Sequence, residues 1–315
     1  MKISAYIPCY NVEKYIEPTI QALLEQTRAP DEILIVDDGS KDRTVEVASR
    51  YPVRVIRHES NKGLSAGRNT AFANARYELV AAIDADVTPE KDWLERLSEN
   101  FDDPGVAGAG GRLIEKHRDT LPDGWRAMHF SQDMGEERIE ISGGSPRRLG
   151  GFGTIYRKDA VERVGGYDER YRTNFEDVDL CVRLLGAGFK LVFDPRAIAH
   201  HMRRDTISSI LRTSWSWDFW LHYRDGGYNS IPLKVLLNFR HMRVLMWEHL
   251  KRGKPSFLAI DALCPWYQSY KDIRYGVSAN RLPPVPDSSA TDLYFPWPFR
   301  ALRRRARAAQ SHPSA

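Results

Sequence analysis

Leu79-Val80-Ala81-Ala82-Ile83-Asp84-Ala85-Asp86 is an apolar run that stops at two carboxylates spaced i and i+2. A short apolar run bounded by polar residues reads as a buried strand. Upstream, Lys2–Pro8 and Glu32–Val36 are β-type runs of the same kind, and the second closes at Asp37-Asp38-Gly39-Ser40, where turn residues end it. Helical stretches fall between them. Pro18 fits the first turn of a helix through about Gln26, with Ile20, Leu23 and Leu24 on one face. Asp42 can cap a helix to about Arg50, Val53–Arg57 is a third strand, and Leu64–Asn74 reads as a helix. Downstream, Pro89 opens a further helix to about Phe101. Strands alternating with helices at this spacing predict βαβ units, hence an α/β fold with a largely parallel sheet. Ligands of such sheets gather beyond the carboxyl ends of the strands, where both aspartate clusters lie.

Beyond residue 113 the pattern weakens. Ile114–Gly151 is polar, contains Gly and Arg, has no clear period, and reads as loops and short elements over the site. Phe152–Arg157 reads as a strand, Lys158–Val164 as a short helix and Asp177–Leu185 as an amphipathic helix ending at Gly186. Lys190–Phe193 and Ala197–His200 are two short strands, and Ile207–His222 and Leu233–Lys251 are helical within a region dense in aromatic, Arg and His residues. These readings divide the chain into 1–203, with halves at about 1–113 and 114–203, a helical aromatic-rich extension 204–281, and a Pro-rich segment and basic tail 282–315.

The 315 residues are 42% hydrophobic and 28% charged, the composition of a folded globular chain. No stretch approaches the roughly 18 apolar residues of a spanning helix, and the first residues do not read as a secretory signal. Cys9, Cys181 and Cys264 are odd in number and far apart, the pattern of reduced intracellular thiols. The net charge is +4, but five arginines after residue 299 supply it: 41 remaining bases face 42 acids, so the body is at −1. A neutral body argues against nucleic acid as partner.

Each polar cluster has a chemical and a plain reading. Asp37-Asp38 can accept hydrogen bonds from a base or ribose, and is also good turn chemistry. Asp84 and Asp86 offer hard oxygen ligands for Mg²⁺ or Mn²⁺, or cap the next helix. Glu176-Asp177 opens a helix and is a cap or a general base. His200-His201 can complete a metal shell or be polar surface. Arg68 can meet a diphosphate or be a solvated helix arginine. Gly108-Ala109-Gly110-Gly111 lacks the G-x-G-x-x-G spacing of a dinucleotide loop and follows the fourth strand, not the first.

In order, IPCYN, VDDGS, NKGLSAGRN, the strand into DAD, GGYDERY, FEDVDLCVRL and a Pro-x-Ala-x-x-x-His run closely resemble the family 2 glycosyltransferases of the GT-A fold, over about residues 3–202. The resemblance implies a Rossmann-like, mostly parallel sheet flanked by helices and an inverting, metal-dependent transfer from a nucleoside-diphosphate sugar. It implies that Asp38 contacts the base with Asp37 in support, that Pro8 and Tyr10 flank the base loop, and that Arg68 meets the base or diphosphate. It further implies that Asp84 faces ribose or metal, that Asp86 holds Mn²⁺ or Mg²⁺ with His201 (His200 as the alternate), and that Asp177 is the catalytic base beside Glu176. A UDP-sugar is the family's commonest donor; the acceptor is a glycan or a lipid-linked glycan.

The family's processive synthases carry a Gln-x-x-Arg-Trp motif and membrane helices. Here the comparable region reads Leu211-Arg212-Thr213-Ser214-Trp215, which implies single addition. Pro8-Cys9-Tyr10-Asn11 stands where a sugar-phosphate nucleotidyltransferase has a Gly-rich phosphate loop, which argues against that enzyme. An inactive scaffold of the same fold is the non-enzymatic alternative. The tail, with Tyr294, Phe295, Trp297 and Phe299 before its arginines, suits either a solvated segment or contact with an anionic membrane. The expected location is the cytoplasm or the inner face of the membrane.

Overall fold

A computed structural model describes residues 1–130, 132–145, 147–224 and 230–279; the Pro-rich segment and basic tail lie outside them. The alternating first part is β1 (Ile3–Cys9), α1 (Ile16–Leu24), β2 (Glu32–Asp37), α2 (Thr44–Ala48), β3 (Arg54–Arg57), α3 (Leu64–Asn74) and β4 (Leu79–Ile83). β1 pairs parallel with both β2 and β4, and β2 parallel with β3, as helical crossovers require. The central strands β1, β2 and β4 are mostly apolar because both of their faces are covered. Ile3, Ala5 and Ile7 pack with Ile16 and Ile20 of α1, whereas Tyr6, Leu34 and Val36 pack with Ala71 and Phe72 of α3.

The chain continues through β5 (Val87–Pro89), α4 (Trp93–Ser98), a 3₁₀ turn at Glu99–Phe101, β6 (Val106–Glu115), α5 (Leu121–His129), β7 (Ile139–Ile141) and β8 (Gly153–Arg157). Then come α6 (Lys158–Arg163), α7 (Glu176–Gly186), β9 (Lys190–His201), α8 (Ile207–Arg224), α9 (Ile231–Lys251), a 3₁₀ turn at Pro255–Phe257 and α10 (Leu258–Ala279). The sheet runs β3-β2-β1-β4-β8-β6-β9-β5, with β7 on β9. β8 is antiparallel to β4 and β6, so the sheet is parallel on one side and mixed on the other.

Several local expectations change. Pro89 ends strand β5, which pairs antiparallel with β9, and the helix begins only at Trp93. The two short strands expected at 190–200 are one strand whose register to β6 shifts near Pro195. The short elements expected within Ile114–Gly151 are α5, which Thr120 caps by accepting from the Asp123 amide, and the three-residue β7. Gly108–Gly111 lies inside β6: a Cβ on Gly111 would sit 2.0 Å from the Ala197 carbonyl oxygen, so glycine there serves strand packing.

The described residues divide into two compact units: those of 1–116 with 132–203, and 117–130 with those between Arg204 and Ala279. The first contains the sheet. In the second, Trp125, Ile210, Phe257, Ile260 and Cys264 form a small apolar cluster among helices α5, α8 and α10. Among the described residues, no helix is long and apolar enough to cross a membrane.

Candidate active site

Parallel β1, β2 and β4 end at one edge of the sheet, and Tyr10, Asp38 and Asp84 follow their last residues. Two loops are laced together there. Asn11 N–H donates to Ser40 Oγ at 2.9 Å, Lys41 N–H to Asn11 Oδ1 at 2.9 Å, and Val12 N–H to Thr44 Oγ1 at 2.9 Å. Asn11 takes a left-handed φ of 54°, which asparagine tolerates. Tyr10 is left 45% exposed at the mouth of this edge.

The adjacent aspartates differ. Asp37 is fully buried, accepts from the Ser40 amide and pairs with Arg57 Nε at 3.2 Å, so it closes its own turn. Asp38 accepts from the Lys62 and Gly63 amides, each at 2.8 Å, and its Oδ1 meets His58 Nδ1 at 2.7 Å. It thereby ties the segment leading into α3 to the end of β2, and α3 carries Arg68.

Arg68 is 1% exposed, not solvated. Its Nη2 donates to Asp84 Oδ1 at 3.2 Å and to the Gly151 carbonyl at 3.1 Å; its Nη1 donates to Tyr6 Oη at 3.3 Å. Its Nε lies 3.3 Å from Glu176 Oε1, and its guanidinium lies over the Tyr167 ring. One buried cation therefore underlies carboxylates from two distant parts of the chain. Gly151 makes this possible, since a Cβ there would lie 2.8 Å from Arg68 Nη2 and 3.2 Å from Asp177 Cβ. Sequence reasoning missed Gly151; its signal was the glycine pair Gly150-Gly151 entering a strand.

The Glu176-Asp177 pair starts α7 immediately after Phe175, whose φ of 81° is strained for a non-glycine residue. Strain of this kind persists only where the surroundings fix it, and it aims the first turn of α7 at the sheet edge. Asp177 Oδ2 accepts from the Gly151 amide at 2.7 Å and Oδ1 from the Val178 amide at 2.8 Å. Glu176 keeps Oε2 buried without a hydrogen-bond partner.

Burial raises the pKa of both carboxyls. Glu176 is pushed up to about 8, by burial first and by the charge of Asp177 second, with Arg68 opposing. Asp177 is also raised by burial, but Arg68 and backbone N–H groups oppose the shift. N–H donors favour an ionised oxygen, so the negative charge of the pair belongs on Asp177 and the shared proton on Glu176. Burial likewise raises Asp84, to about 6, with Arg68 opposing and Asp86 adding.

The β5–β9 register sets Val87 opposite His201, which brings Asp86 beside that histidine. Asp86 Oδ2 and His201 Nε2 are 3.3 Å apart, while His201 Nδ1 meets Glu115 Oε2 at 2.8 Å. His200 faces the other way, to Glu90 at 3.0 Å. Two ligands of one octahedral ion lie about 3 Å apart for metal–ligand bonds of ~2.1 Å, so the Asp86–His201 spacing fits a divalent cation. Glu115 holds the ring in the manner of an outer-shell carboxylate. No cluster of three or more ligating side chains occurs among the described residues. Such a pair suits an ion completed by substrate phosphates and water, the usual arrangement for Mg²⁺.

The model of the family described as glycosyl transferase family 2 matches residues 4–165. The pre-mycofactocin glycosyltransferase of Mycobacterium tuberculosis is 34% identical over 177 residues, 55% of this chain and 37% of that protein. The chain thus spans little more than a third of that relative's length. Among solved structures, S. aureus TarS 1–349 in complex with UDP superposes with a TM-score of 0.52 at 21% identity, over 69% of this chain and 64% of that one. Mannosyltransferase PcManGT from Pyrobaculum calidifontis, in complex with GDP-Man and Mn²⁺, has a TM-score of 0.55 at 18% identity, over 99% of this chain and 81% of that one. At these identities the two structures speak to the fold, which is GT-A.

Proposed function

We propose, for a chain that belongs to glycosyl transferase family 2, that the carboxyl edge of its sheet moves a sugar from a nucleoside-diphosphate donor to a hydroxyl of a glycan or lipid-linked acceptor. The observation that carries this reading is the convergence of Asp84, Glu176 and Asp177 around buried Arg68, beside the Asp86–His201 pair. The structural neighbours that hold UDP and GDP-Man support a nucleotide-sugar donor, and we take the nucleotide to be a UDP-sugar.

Tyr10 and Pro8 flank the base, with Asp38 and its supporting Asp37 holding the loop that receives it. Asp84 faces the ribose. Asp86 and His201 hold Mn²⁺ or Mg²⁺, and a bound divalent ion supplies positive charge against the departing diphosphate. Asp177 takes the acceptor proton on a carboxylate oxygen as the hydroxyl oxygen bonds the anomeric carbon. The bond to the diphosphate breaks on the opposite face, so the configuration inverts. Burial makes Asp177 a stronger base than a solvated aspartate, and Arg68 acts from beneath to favour its ionised form against that burial. Addition of a single sugar is the mode proposed.

Asp177→Asn separates chemistry from binding. Transfer or donor hydrolysis should fall about 10²- to 10⁴-fold, the usual range for a lost general base, while calorimetric affinity for UDP with Mn²⁺ stays within a factor of about three. Wild-type turnover in this variant removes the base assignment.

A further inference from the structure

Beside its apolar cluster, the second unit turns polar side chains of α9 and α10 inward. Along α9 the buried positions are Lys234, Asn238, His241, Leu245 and His249, which recur every three or four residues and so form one face. The opposite face presents Leu233, Leu236, Leu237, Trp247 and Leu250 to solvent. Along α10, Asp261, Gln268, Ser269 and Asp272 are buried together with Ile260 and Cys264, whereas Leu263, Trp266, Tyr270 and Ile273 are exposed.

The interior is hydrogen-bonded, not merely polar. Lys234 Nζ pairs with Asp218 at 2.6 Å, and Asn238 Nδ2 donates to Asp272 at 2.8 Å. His249 sits between His129, at 2.7 Å, and Asp261, at 2.5 Å. A hydrogen-bonded polar interior under an apolar exterior is the arrangement of a helical unit whose outside meets a low-dielectric medium. Trp247 is 60% exposed, Leu236 65% and Trp266 68%. Trp266 also stacks edge-on against Phe239, which joins the two stripes into one patch.

Charge narrows the occupant. Arg240, Arg243, Lys251 and Arg274 are exposed on these two helices, while the acids of α10, Asp261 and Asp272, are fully buried. Glu248, half-buried, is the one acid of α9. A second copy meeting this face by a two-fold axis would set the same cations against each other. A spanning pose would carry Arg240 and Arg243, midway along α9, into hydrocarbon. A helix pair lying in the plane avoids both costs. Its leucines and tryptophans enter the headgroup boundary while its arginines reach lipid phosphates.

We propose that the outward face of α9 and α10 docks on an anionic lipid surface. The proposal is independent of the transfer chemistry, and its failure leaves that reading standing. The test is sedimentation of the full chain with vesicles of phosphatidylcholine alone and with vesicles of equal parts phosphatidylcholine and phosphatidylglycerol. The wild type should sediment with the mixed vesicles and weakly with the neutral ones. Arg240→Glu/Arg243→Glu should weaken that association at least about 25-fold, at about fivefold per lost cation. Trp247→Glu/Trp266→Glu, at exposed positions, should abolish it without moving the unfolding midpoint. Absence of association with either vesicle overturns the proposal. So does association that neither variant weakens, which assigns lipid contact to other residues, 280–315 included. A solution dimer that both variants dissociate, with no lipid binding, makes the face a contact between copies instead.

Discussion

Replacing Arg68 by methionine keeps a long, flexible side chain and removes a cation that touches both Asp84 and Glu176. Breaking a buried ion pair from one side costs about 3–5 kcal/mol, because the remaining charge stays buried and uncompensated. Most of that should come from Glu176, 3% exposed, since Asp84 is partly open to solvent. The cost must depend on pH. Folded-state pKa values of about 8 for Glu176 and about 6 for Asp84 stand above the ordinary 4.5 and 3.8. Groups raised in this way favour the folded state below their ordinary pKa values and lose that contribution as pH rises through 6 and then 8. Arg68 offsets the loss. Its removal is therefore felt mainly above pH 8, at about 3–5 kcal/mol. At pH 5, where both of these carboxyls are protonated in the folded protein, the penalty shrinks to less than about 1 kcal/mol, because the wild-type arginine then touches neither Asp84 nor Glu176 as an anion. Urea unfolding at pH 5 and pH 9, with chelator present, measures both values. An equal penalty at the two pH values would refute the account of Arg68 as the charge that holds this cluster.

Two further outcomes follow from the geometry. Gly151→Ala places a methyl group 2.8 Å from Arg68 Nη2 and 3.3 Å from Asp177 Oδ2; it should cost about 1–3 kcal/mol of stability and lower kcat more than it raises KM, which steady-state kinetics would show. Glu115→Gln removes the carboxylate that meets His201 Nδ1 at 2.8 Å and should weaken Mn²⁺ about 10- to 100-fold, read by titrating the metal against nucleotide binding; an unchanged Mn²⁺ affinity would take His201 out of the shell.

The parallel half of the fold was legible because its strands, such as Leu79–Ile83, are unbroken apolar runs between turn residues, and α3 appears at the expected residues. Asp84, Asp86, Glu176 and Asp177 were also legible as candidates, since each sits where an element begins or ends. Their partnerships were not. The burial of Arg68 depends on Gly151, 83 residues away, and no local pattern encodes that distance. Glu115 joined the site only through the β6–β9 register. Pro89 looked like a helix start because proline suits a first turn, yet it also suits the end of a short edge strand. Within the extension read as helical, α10 received no bounds of its own, because Pro265 lies inside it and its buried side carries Asp261 and Asp272. A periodicity search that expects apolar residues inside reads such a helix backwards.

On the proposed function, the carboxyl edge of this sheet binds a nucleoside diphosphate through a divalent ion. The most direct measurement is the melting temperature of the wild-type chain with UDP, GDP, dTDP or CMP, each with Mn²⁺ and with chelator. A ligand bound at 100 times its Kd stabilises the folded state by about 2.7 kcal/mol, a shift of several degrees. UDP should raise the melting temperature in the presence of Mn²⁺ and fail to do so with chelator. No shift with any nucleotide, or a shift indifferent to chelator, would contradict it.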